Sequence, residues 1–211
     1  MQTTQSVQNK VLRRFRSKVS QGTRVLVSVD FCDLGSRAAV DQALSRLARA
    51  GKIRRLKRGV YDYPKRHPHL GRLSPNLDEV ARAIARKNGH RIQVAGARAA
   101  NALGLSTQVP ARTVYLTDGQ SRTVKIGNRT LQFLHSSKLA APGTAAGNVA
   151  QALHHVGRSG ITDTMAREIR SRISKSDIAQ LGKCATTPGW MRSMLAQIES
   201  VASPRPSHEA A

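Results

Sequence analysis

The chain has 211 residues and carries 35 Lys and Arg against 12 Asp and Glu, a formal net charge of +23. This excess indicates a polyanionic partner, because cationic side chains release the counterions condensed on a phosphate backbone. No apolar run reaches the roughly 18–20 residues of a membrane span and no signal-peptide core is evident, so we expect a cytoplasmic, nucleoid-associated protein without a membrane partner. Only 3% of the residues are aromatic, which argues against a single-strand binder that stacks successive bases on an aromatic platform.

The first two predicted elements precede the strongest motif. Residues 6–18 are expected to form a helix, because apolar side chains recur there on one stripe. The stripe consists of Val7, Val11, Leu12 and Phe15. Residues 24–27 are rich in β-branched side chains and are predicted to form a short strand that pairs with a later hairpin.

Residues 28–50 have the spacing of a helix-turn-helix. Ser28 can cap a short helix, Gly35 can supply the turn, and Ser36 can cap a second helix that runs to residue 50. Gly51 then ends this second helix, which has an apolar side and a polar side. The apolar side holds Val40, Ala43, Leu44 and Leu47, and the polar side holds Ala38, Gln42, Ser45 and Arg49, flanked by Arg46.

A basic hairpin follows the second helix directly. The sequence alternates around a turn at residues 57–59, which predicts strands over residues 53–56 and 60–63. Four of the five residues from 54 to 58 are cationic. A helix-turn-helix followed by such a hairpin is typical of a winged helix-turn-helix, whose second helix enters the major groove of DNA.

This docking assigns roles to two groups of side chains. The second helix would meet base edges and the flanking phosphate through Ser36, Arg37, Gln42, Ser45, Arg46 and Arg49. The hairpin and the residues after it would lie against phosphates or in the adjacent minor groove through Arg54, Arg55, Lys57, Arg58, Lys65 and Arg66. The alternative is that both groups are solvated faces of an ordinary amphipathic helix and hairpin, and winged helices also bind proteins and RNA.

A stretch rich in proline and basic residues, 64–76, separates the motif from the rest of the chain. Such a composition favours an exposed connector. We therefore predict a winged helix-turn-helix domain over 1–66, a linker over 67–76, an α+β domain over 77–202 and a disordered tail over 203–211. His67 and His69 form an HxH pair, but without further ligands nearby no metal site is expected.

The second domain is predicted to be mixed α/β with a small sheet and a helical C-terminus, so the fold class of the chain is α+β. Asn76 or Asp78 begins a helix that ends at Asn88 and Gly89. The predicted strands cover residues 91–95, 112–117, 123–126 and 130–134, with a short helix at 97–105. The C-terminal helices are predicted over 148–156, 163–171 and 176–200, the last broken at 187–189.

An enzyme is not expected. The acidic residues are scattered, and no two have the spacing of paired metal-binding carboxylates. Asp78 and Glu79 are adjacent, but they lie at a predicted helix start, where the helix dipole accounts for them. No phosphate-binding loop, nucleophile elbow or HExxH motif occurs, so we predict no catalytic residue, no metal and no cofactor.

Three blocks of sequence carry a family resemblance. They are VLVSVDFCDLGS (25–36), SRAAVDQALSRLARAGKIRRLKRGVYDYPK (36–65) and QVAGARAANALGLSTQVPARTVYLTDG (93–119). Together they resemble the AbiEi-like antitoxins of type IV toxin–antitoxin systems, which act in abortive infection, and the similarity spans roughly residues 7–200. The resemblance implies an N-terminal winged helix-turn-helix that represses the protein's own operon, and a C-terminal antitoxin domain. It also implies a nucleotidyltransferase-like toxin as functional partner, without implying a stable complex.

The expected ligand is double-stranded DNA at the protein's own promoter, with repeated half-sites, bound by a monomer or a weak dimer. In the second domain Arg98, Asn101 and Gln108 are either a partner-binding surface or ordinary solvated and capping residues. Two classes of function stay open. One is a repressor that doubles as an antitoxin; the other is a stand-alone regulator or a non-specific nucleic-acid or RNA-binding protein that uses the module for its charge alone.

Overall fold

Short strands alternate with helices along the chain, and the fold is α+β. A computed structural model describes residues 2–107, 112–137, 139–158 and 161–200. The chain divides into two compact units, Met1–His90 with Val124–Leu131, and Arg91–Thr123 with Gln132–Ala211. Each unit has its own hydrophobic core. Within the described ranges, no helix combines the length and the apolar character needed to cross a membrane.

The first unit opens with the elements that the sequence predicts. In chain order its elements are α1 (Gln2–Ser20), β1 (Val25–Val27), a 3₁₀ helix (Ser28–Leu34), α2 (Arg37–Arg49), β2 (Arg54–Lys57), β3 (Val60–Asp62), β4 (Arg66–His67), β5 (Gly71–Arg72) and α3 (Leu77–Lys87). The helix predicted over 6–18 and the strand predicted over 24–27 are confirmed. The short helix after β1 is of the 3₁₀ type, and the Asp30 carboxylate accepts a hydrogen bond from the Val27 amide at 2.9 Å.

The small sheet of the first unit has the strand order β1-β3-β2, and both pairings are antiparallel. Tyr61 in the central strand lies opposite Leu26 on one side and Arg55 on the other. Gly59 makes the turn of the β2–β3 hairpin with a left-handed φ of 71°, a conformation that glycine adopts without steric cost. The predicted pairing of residues 24–27 with the hairpin is confirmed.

The core of the first unit lies where α1, α2 and the 3₁₀ helix meet the sheet. Phe15 is fully buried at its centre, and its ring centroid is 5.3 Å from that of Phe31. Val7 and Val11 from the same stripe of α1 are also buried. The stripe that predicts α1 is therefore the face that the helix packs inward, except that Leu12 is only half-buried.

Helix α3 lies in the first unit, which runs to His90, whereas the sequence predicts that the first domain ends at residue 66. The helix packs on β1, and the Glu79 carboxylate accepts hydrogen bonds from the amides of Arg24 at 2.5 Å and Val25 at 3.2 Å. The predicted linker over 67–76 contains β5 and part of β4, which pair as a small hairpin. The sequence could not show this, because the partners of α3 lie about fifty residues earlier in the chain.

The elements that follow α3 come in the predicted order, and they belong to the second unit except for the stretch Val124–Leu131. They are β6 (Ile92–Val94), α4 (Gly96–Ala102), β7 (Thr113–Thr117), β8 (Arg122–Ile126), β9 (Arg129–His135), α5 (Ala145–Val156), α6 (Asp163–Arg172), α7 (Lys175–Lys183) and α8 (Gly189–Ser200). The strands form one sheet in the order β6-β7-β9-β8. The break predicted at residues 187–189 within the last helix, 176–200, is confirmed: α7 ends at Lys183, and α8 begins at Gly189, directly after Pro188. The tail predicted over 203–211 lies outside the described residues.

Close packing of α4 on α5 organises the core of the second unit. The two helices make the most extensive contact between any two elements described. Gly96 opens α4, and a Cβ at this position would lie 2.8 Å from the Gln151 carbonyl oxygen and 2.8 Å from the His155 Cβ. Ala99 and Ala100 on the same helix are buried. The small residues of this segment are therefore what lets the two backbones approach.

Candidate nucleic-acid interface

Helix α2 separates an inward face from an outward face as the sequence predicts. The four residues of the predicted apolar side are buried, each at most 1% exposed. They are Val40, Ala43, Leu44 and Leu47. The outward face is exposed and carries Gln42, Ser45, Arg46 and Arg49, so these four predicted residues lie together on one helix surface.

The two candidates at the start of α2 have partners within the helix. The Ser36 hydroxyl accepts a hydrogen bond from the Ala39 amide at 3.3 Å, which makes Ser36 the N-cap. The Arg37 Nε lies 3.0 Å from a carboxylate oxygen of Asp41, and both side chains are exposed. Such an exposed ion pair contributes little to stability, so Arg37 can exchange it for a phosphate, whereas the hydroxyl of Ser36 is engaged in capping.

Two ion pairs hold the 3₁₀ helix that precedes α2. Arg14 of α1 forms a bidentate pair with Asp33 and donates to the Asp30 carbonyl oxygen at 2.6 Å. Hydrogen bonding by Arg14 lowers the pKa of the Asp33 carboxyl below its ordinary value. Arg86 of α3 binds the Asp30 carboxylate at 2.8 Å. The turn that leads into α2 is thereby tied to two other helices, which sets the direction in which α2 begins.

Arg54, predicted as a DNA contact, has partners inside the first unit. Its guanidinium pairs with the carboxylate of Asp62, which is 2% exposed, and donates to the Leu73 carbonyl oxygen at 3.1 Å. Burial raises the pKa of Asp62, while Arg54 lowers it. A buried carboxylate requires a charged partner, so the Arg54 guanidinium stays bound to Asp62. We therefore do not include Arg54 among the proposed DNA contacts.

The other hairpin cations are exposed. Lys57 and Arg58 stand at the tip, and Arg55 projects from β2. Arg55 also lines a cavity of about 450 Å³, whose walls include the turn at Gly127 and Asn128. This turn belongs to the first unit. One side of β2 is therefore less exposed to solvent than it would be in an isolated hairpin.

One cation at the hairpin, Lys87, is not predicted from the sequence. Lys87, at the end of α3, donates through Nζ to the Arg58 carbonyl oxygen at 2.6 Å. A Cβ on Gly59 would lie 3.2 Å from this side chain, so Lys87 packs directly on the turn. The interaction joins residues 29 positions apart in the sequence, so no local sequence pattern predicts it.

The remaining predicted positions are not gathered at the hairpin tip. Lys65 and Arg66 are exposed but follow the far end of β3. In the second unit, the Arg98 guanidinium donates to the Tyr115 hydroxyl at 3.1 Å and lies 5.9 Å from the centroid of that ring. The Asn101 amide donates to the Ser106 carbonyl oxygen at 3.0 Å, which fits a capping role, and Gln108 lies outside the described residues.

A model described as "Family of unknown function (DUF6088)" matches residues 10–181. The chain belongs to this family. No curated protein matches it. Among solved structures it is similar to the crystal structure of the RV2827C protein from Mycobacterium tuberculosis, with 14% identity, a TM-score of 0.41, and coverage of 93% of this chain and 82% of that chain.

In this DUF6088 protein the exposed cations of α2 and the hairpin have no acidic partner within the described residues, apart from Arg37. These unpaired cations are Arg46, Arg49, Arg55, Lys57 and Arg58. Residues 1–75 hold 17 Lys and Arg against 4 Asp and Glu, and three of those acids are occupied by Arg14, Arg54 and Arg86. Among the described residues, most of the positive charge of this surface is therefore not neutralised by acidic side chains. Among the described residues, no group of three or more His, Cys, Asp or Glu is arranged to hold a metal ion.

Proposed function

We propose that this protein binds double-stranded DNA sequence-specifically through a winged helix-turn-helix. In this proposal α2 is the recognition helix and the β2–β3 hairpin is the wing. The observation that carries the proposal is the division of α2: its buried side anchors the helix, and its exposed side presents Gln42, Ser45, Arg46 and Arg49 together, next to unpaired hairpin cations. An exposed helix of this kind is what enters a major groove, about 12 Å wide.

The proposed contacts fall into two sets. Gln42, Ser45, Arg46 and Arg49 would face base edges, where Arg reads guanine and Gln reads adenine by paired hydrogen bonds. Arg55, Lys57 and Arg58 would bind phosphates or the adjacent minor groove. Lys87 joins this second set, because its ammonium is held at the hairpin turn.

The resemblance of residues 25–65 and 93–119 to AbiEi-like antitoxins extends the proposal. The protein would repress its own operon and counteract a nucleotidyltransferase-like toxin encoded beside it. Neutralisation need not involve a stable complex, and the second unit would carry it. The proposed site of action is the nucleoid.

Binding to the promoter upstream of the protein's own gene tests the central proposal. A repressor should bind this duplex at least ~10³-fold more tightly than a random duplex of equal length at the same salt concentration. A protein that binds through charge alone would bind both duplexes equally and show a steep salt dependence for each. Equal affinity, measured by fluorescence anisotropy over a salt series, would overturn the proposal in favour of non-specific binding.

Substitutions separate base reading from phosphate binding. Gln42→Ala and Arg46→Ala should each reduce the preference for the promoter by about 1–3 kcal/mol. Arg58→Ala and Lys87→Ala should weaken binding to every duplex to a similar degree and lower the slope of log affinity against log salt by about one each. If the Gln42 and Arg46 variants keep the full preference, α2 is not the recognition helix.

The antitoxin role has its own test. The neighbouring nucleotidyltransferase-like gene, where present, is expressed with and without this protein, and growth is measured. Rescue by both the unchanged chain and the Gln42→Ala/Arg46→Ala double variant is expected, because DNA reading and neutralisation are assigned to different units. Failure of the unchanged chain to restore growth would leave a stand-alone regulator as the function.

A further inference from the structure

A second cationic feature of the first unit lies away from the proposed recognition surface. A cleft of about 590 Å³ opens between the C-terminal half of α1, the end of α2 and the segment that follows β3. Five cationic side chains line it: Arg16, Arg24, Lys52, Lys65 and Arg66. None of the lining residues is acidic.

The negative ends of the two helix dipoles at this cleft do not neutralise its cationic side chains. Val19 near the end of α1, and Ala50 and Gly51 at the end of α2, all line the cleft. Each helix C-terminus carries a partial charge of about −0.5, so the two ends together offset about one cation. The cleft therefore retains a large positive excess, and gathering like charges without an anion is unfavourable.

The walls of the cleft suit a compact organic anion. The ring of Tyr63 is held against Phe15, with 6.2 Å between centroids and an interplanar angle of 28°. The Tyr63 carbonyl oxygen accepts a hydrogen bond from the Arg24 guanidinium at 3.4 Å. Leu12 and Pro64 add apolar surface. The volume lies within the roughly 300–1,000 Å³ typical of small-molecule sites.

The cleft and the hairpin tip lie at opposite ends of β3. From Gly59 at the turn to Tyr63 in the cleft the chain is extended, which separates the two by about 13 Å at ~3.3 Å per residue. Lys52 and Tyr63 line the cleft, whereas Lys57 and Arg58 stand at the tip. The concave cleft is thus a separate feature from the exposed face of α2.

We propose that this cleft is a binding site for a small phosphate-bearing ligand, such as a nucleotide or another phosphorylated metabolite. Arg16, Lys52 and Arg66 neutralise the phosphate groups, and Tyr63 with its apolar neighbours contacts the organic part. The site is independent of the proposed DNA-binding function, because it shares no residue with α2's exposed face or with the hairpin tip.

Calorimetric titration of the full chain with inorganic pyrophosphate and with ATP tests the site. We expect saturable binding of at least one of these probes at one site per chain, in buffer whose ionic strength is held constant with NaCl. The double variant Arg16→Ala/Lys52→Ala should weaken it at least about tenfold, since charge-assisted hydrogen bonds to phosphate are lost. The matched control is Lys10→Ala/Arg13→Ala, which removes one Arg and one Lys from exposed positions of α1 outside the cleft.

Three results would overturn the proposal. One is the absence of saturable binding of pyrophosphate and ATP at 1 mM. Another is an equal loss of binding in the Lys10/Arg13 control, which would identify the interaction as general charge attraction. The third is a double variant that leaves pyrophosphate and ATP binding unchanged but loses affinity for a DNA duplex, which would assign the cleft to the nucleic-acid surface. Unfolding curves of both double variants confirm that each is folded.

Discussion

The two neighbouring arginines of β2 differ in exposure and in their partners. Arg54 is 28% exposed and bound to the buried Asp62, whereas Arg55 has no acidic partner among the described residues and is exposed. Alternation along a strand sends successive side chains to opposite faces, so a run of arginines cannot act as one surface. The two arginines differ because only Arg54 lies opposite a buried carboxylate, that of Asp62 on the facing strand.

Replacement of each arginine by methionine should separate the two roles. Arg54→Met leaves the Asp62 carboxylate buried without its cation, and we expect a loss of about 2–3 kcal/mol in the free energy of unfolding. Arg55→Met, the matched control, should change stability by less than about 0.5 kcal/mol while weakening DNA binding. Urea unfolding of both variants measures this, and equal stabilities would show that the Arg54–Asp62 pair contributes nothing.

The stability deficit of Arg54→Met should also depend on pH. Burial raises the pKa of Asp62, and loss of the arginine removes the interaction that opposes this rise. A carboxyl whose pKa is higher in the folded state contributes stability below its unfolded pKa and loses it as the pH rises through the folded value. The deficit should therefore be larger near pH 7 than near pH 5. A deficit that is constant between these values would mean that Asp62 does not titrate in this range.

At the scale of elements, glycine has opposite consequences in two helices of the second unit. Gly96 lies where α4 meets α5, and an added Cβ would approach the Gln151 carbonyl oxygen to 2.8 Å. Gly182 lies within α7, and an added Cβ there would meet nothing within 4 Å. Gly96 is required by the packing of α4 on α5, whereas Gly182 has no packing role and lowers the stability of α7.

Alanine substitutions at the two glycines should therefore change stability in opposite directions. Gly96→Ala should destabilise the protein by about 1–3 kcal/mol, because the two backbones must separate. Gly182→Ala should stabilise it by about 0.5–1 kcal/mol through helix propensity. Thermal unfolding monitored by circular dichroism compares the two, and a stabilising Gly96→Ala would contradict the α4–α5 packing.

Element positions follow from local patterns more closely than domain boundaries do. The caps and stripes of α1, α2 and α3 place these helices to within a few residues, because capping and amphipathicity are encoded within a few turns of chain. The 3₁₀ character of residues 28–34 and the hairpin formed by β4 and β5 were not predicted, since both depend on contacts with other elements.

At the scale of the whole molecule, α3 decides where the first unit ends. A fragment ending at residue 66 lacks the Glu79 carboxylate that accepts from the Arg24 and Val25 amides and the Arg86 pair with Asp30. It also exposes the face of β1 on which α3 packs. The first unit extends along the chain to His90 and also includes Val124–Leu131.

Two fragments test this boundary. Residues 1–90 should unfold cooperatively and at a higher temperature than residues 1–66, because α3 buries apolar side chains against β1 and satisfies its exposed amides. Circular dichroism melts at equal protein concentration compare them. If both fragments unfold at the same temperature, α3 is dispensable and the boundary predicted from the proline-rich stretch is the better one.

The α+β class, the order of most elements, the buried face of α2 and the cations on its opposite face can be derived from the sequence, because they depend on periodicity and capping within short stretches. Three features follow from the fold alone: Arg54 pairs with Asp62, Lys87 contacts the hairpin turn, and α3 packs in the first unit. The fold also gathers five cations around one cleft. Each of these features depends on contacts between segments that are distant in the sequence. Such contacts produce no periodic pattern from which they could be predicted.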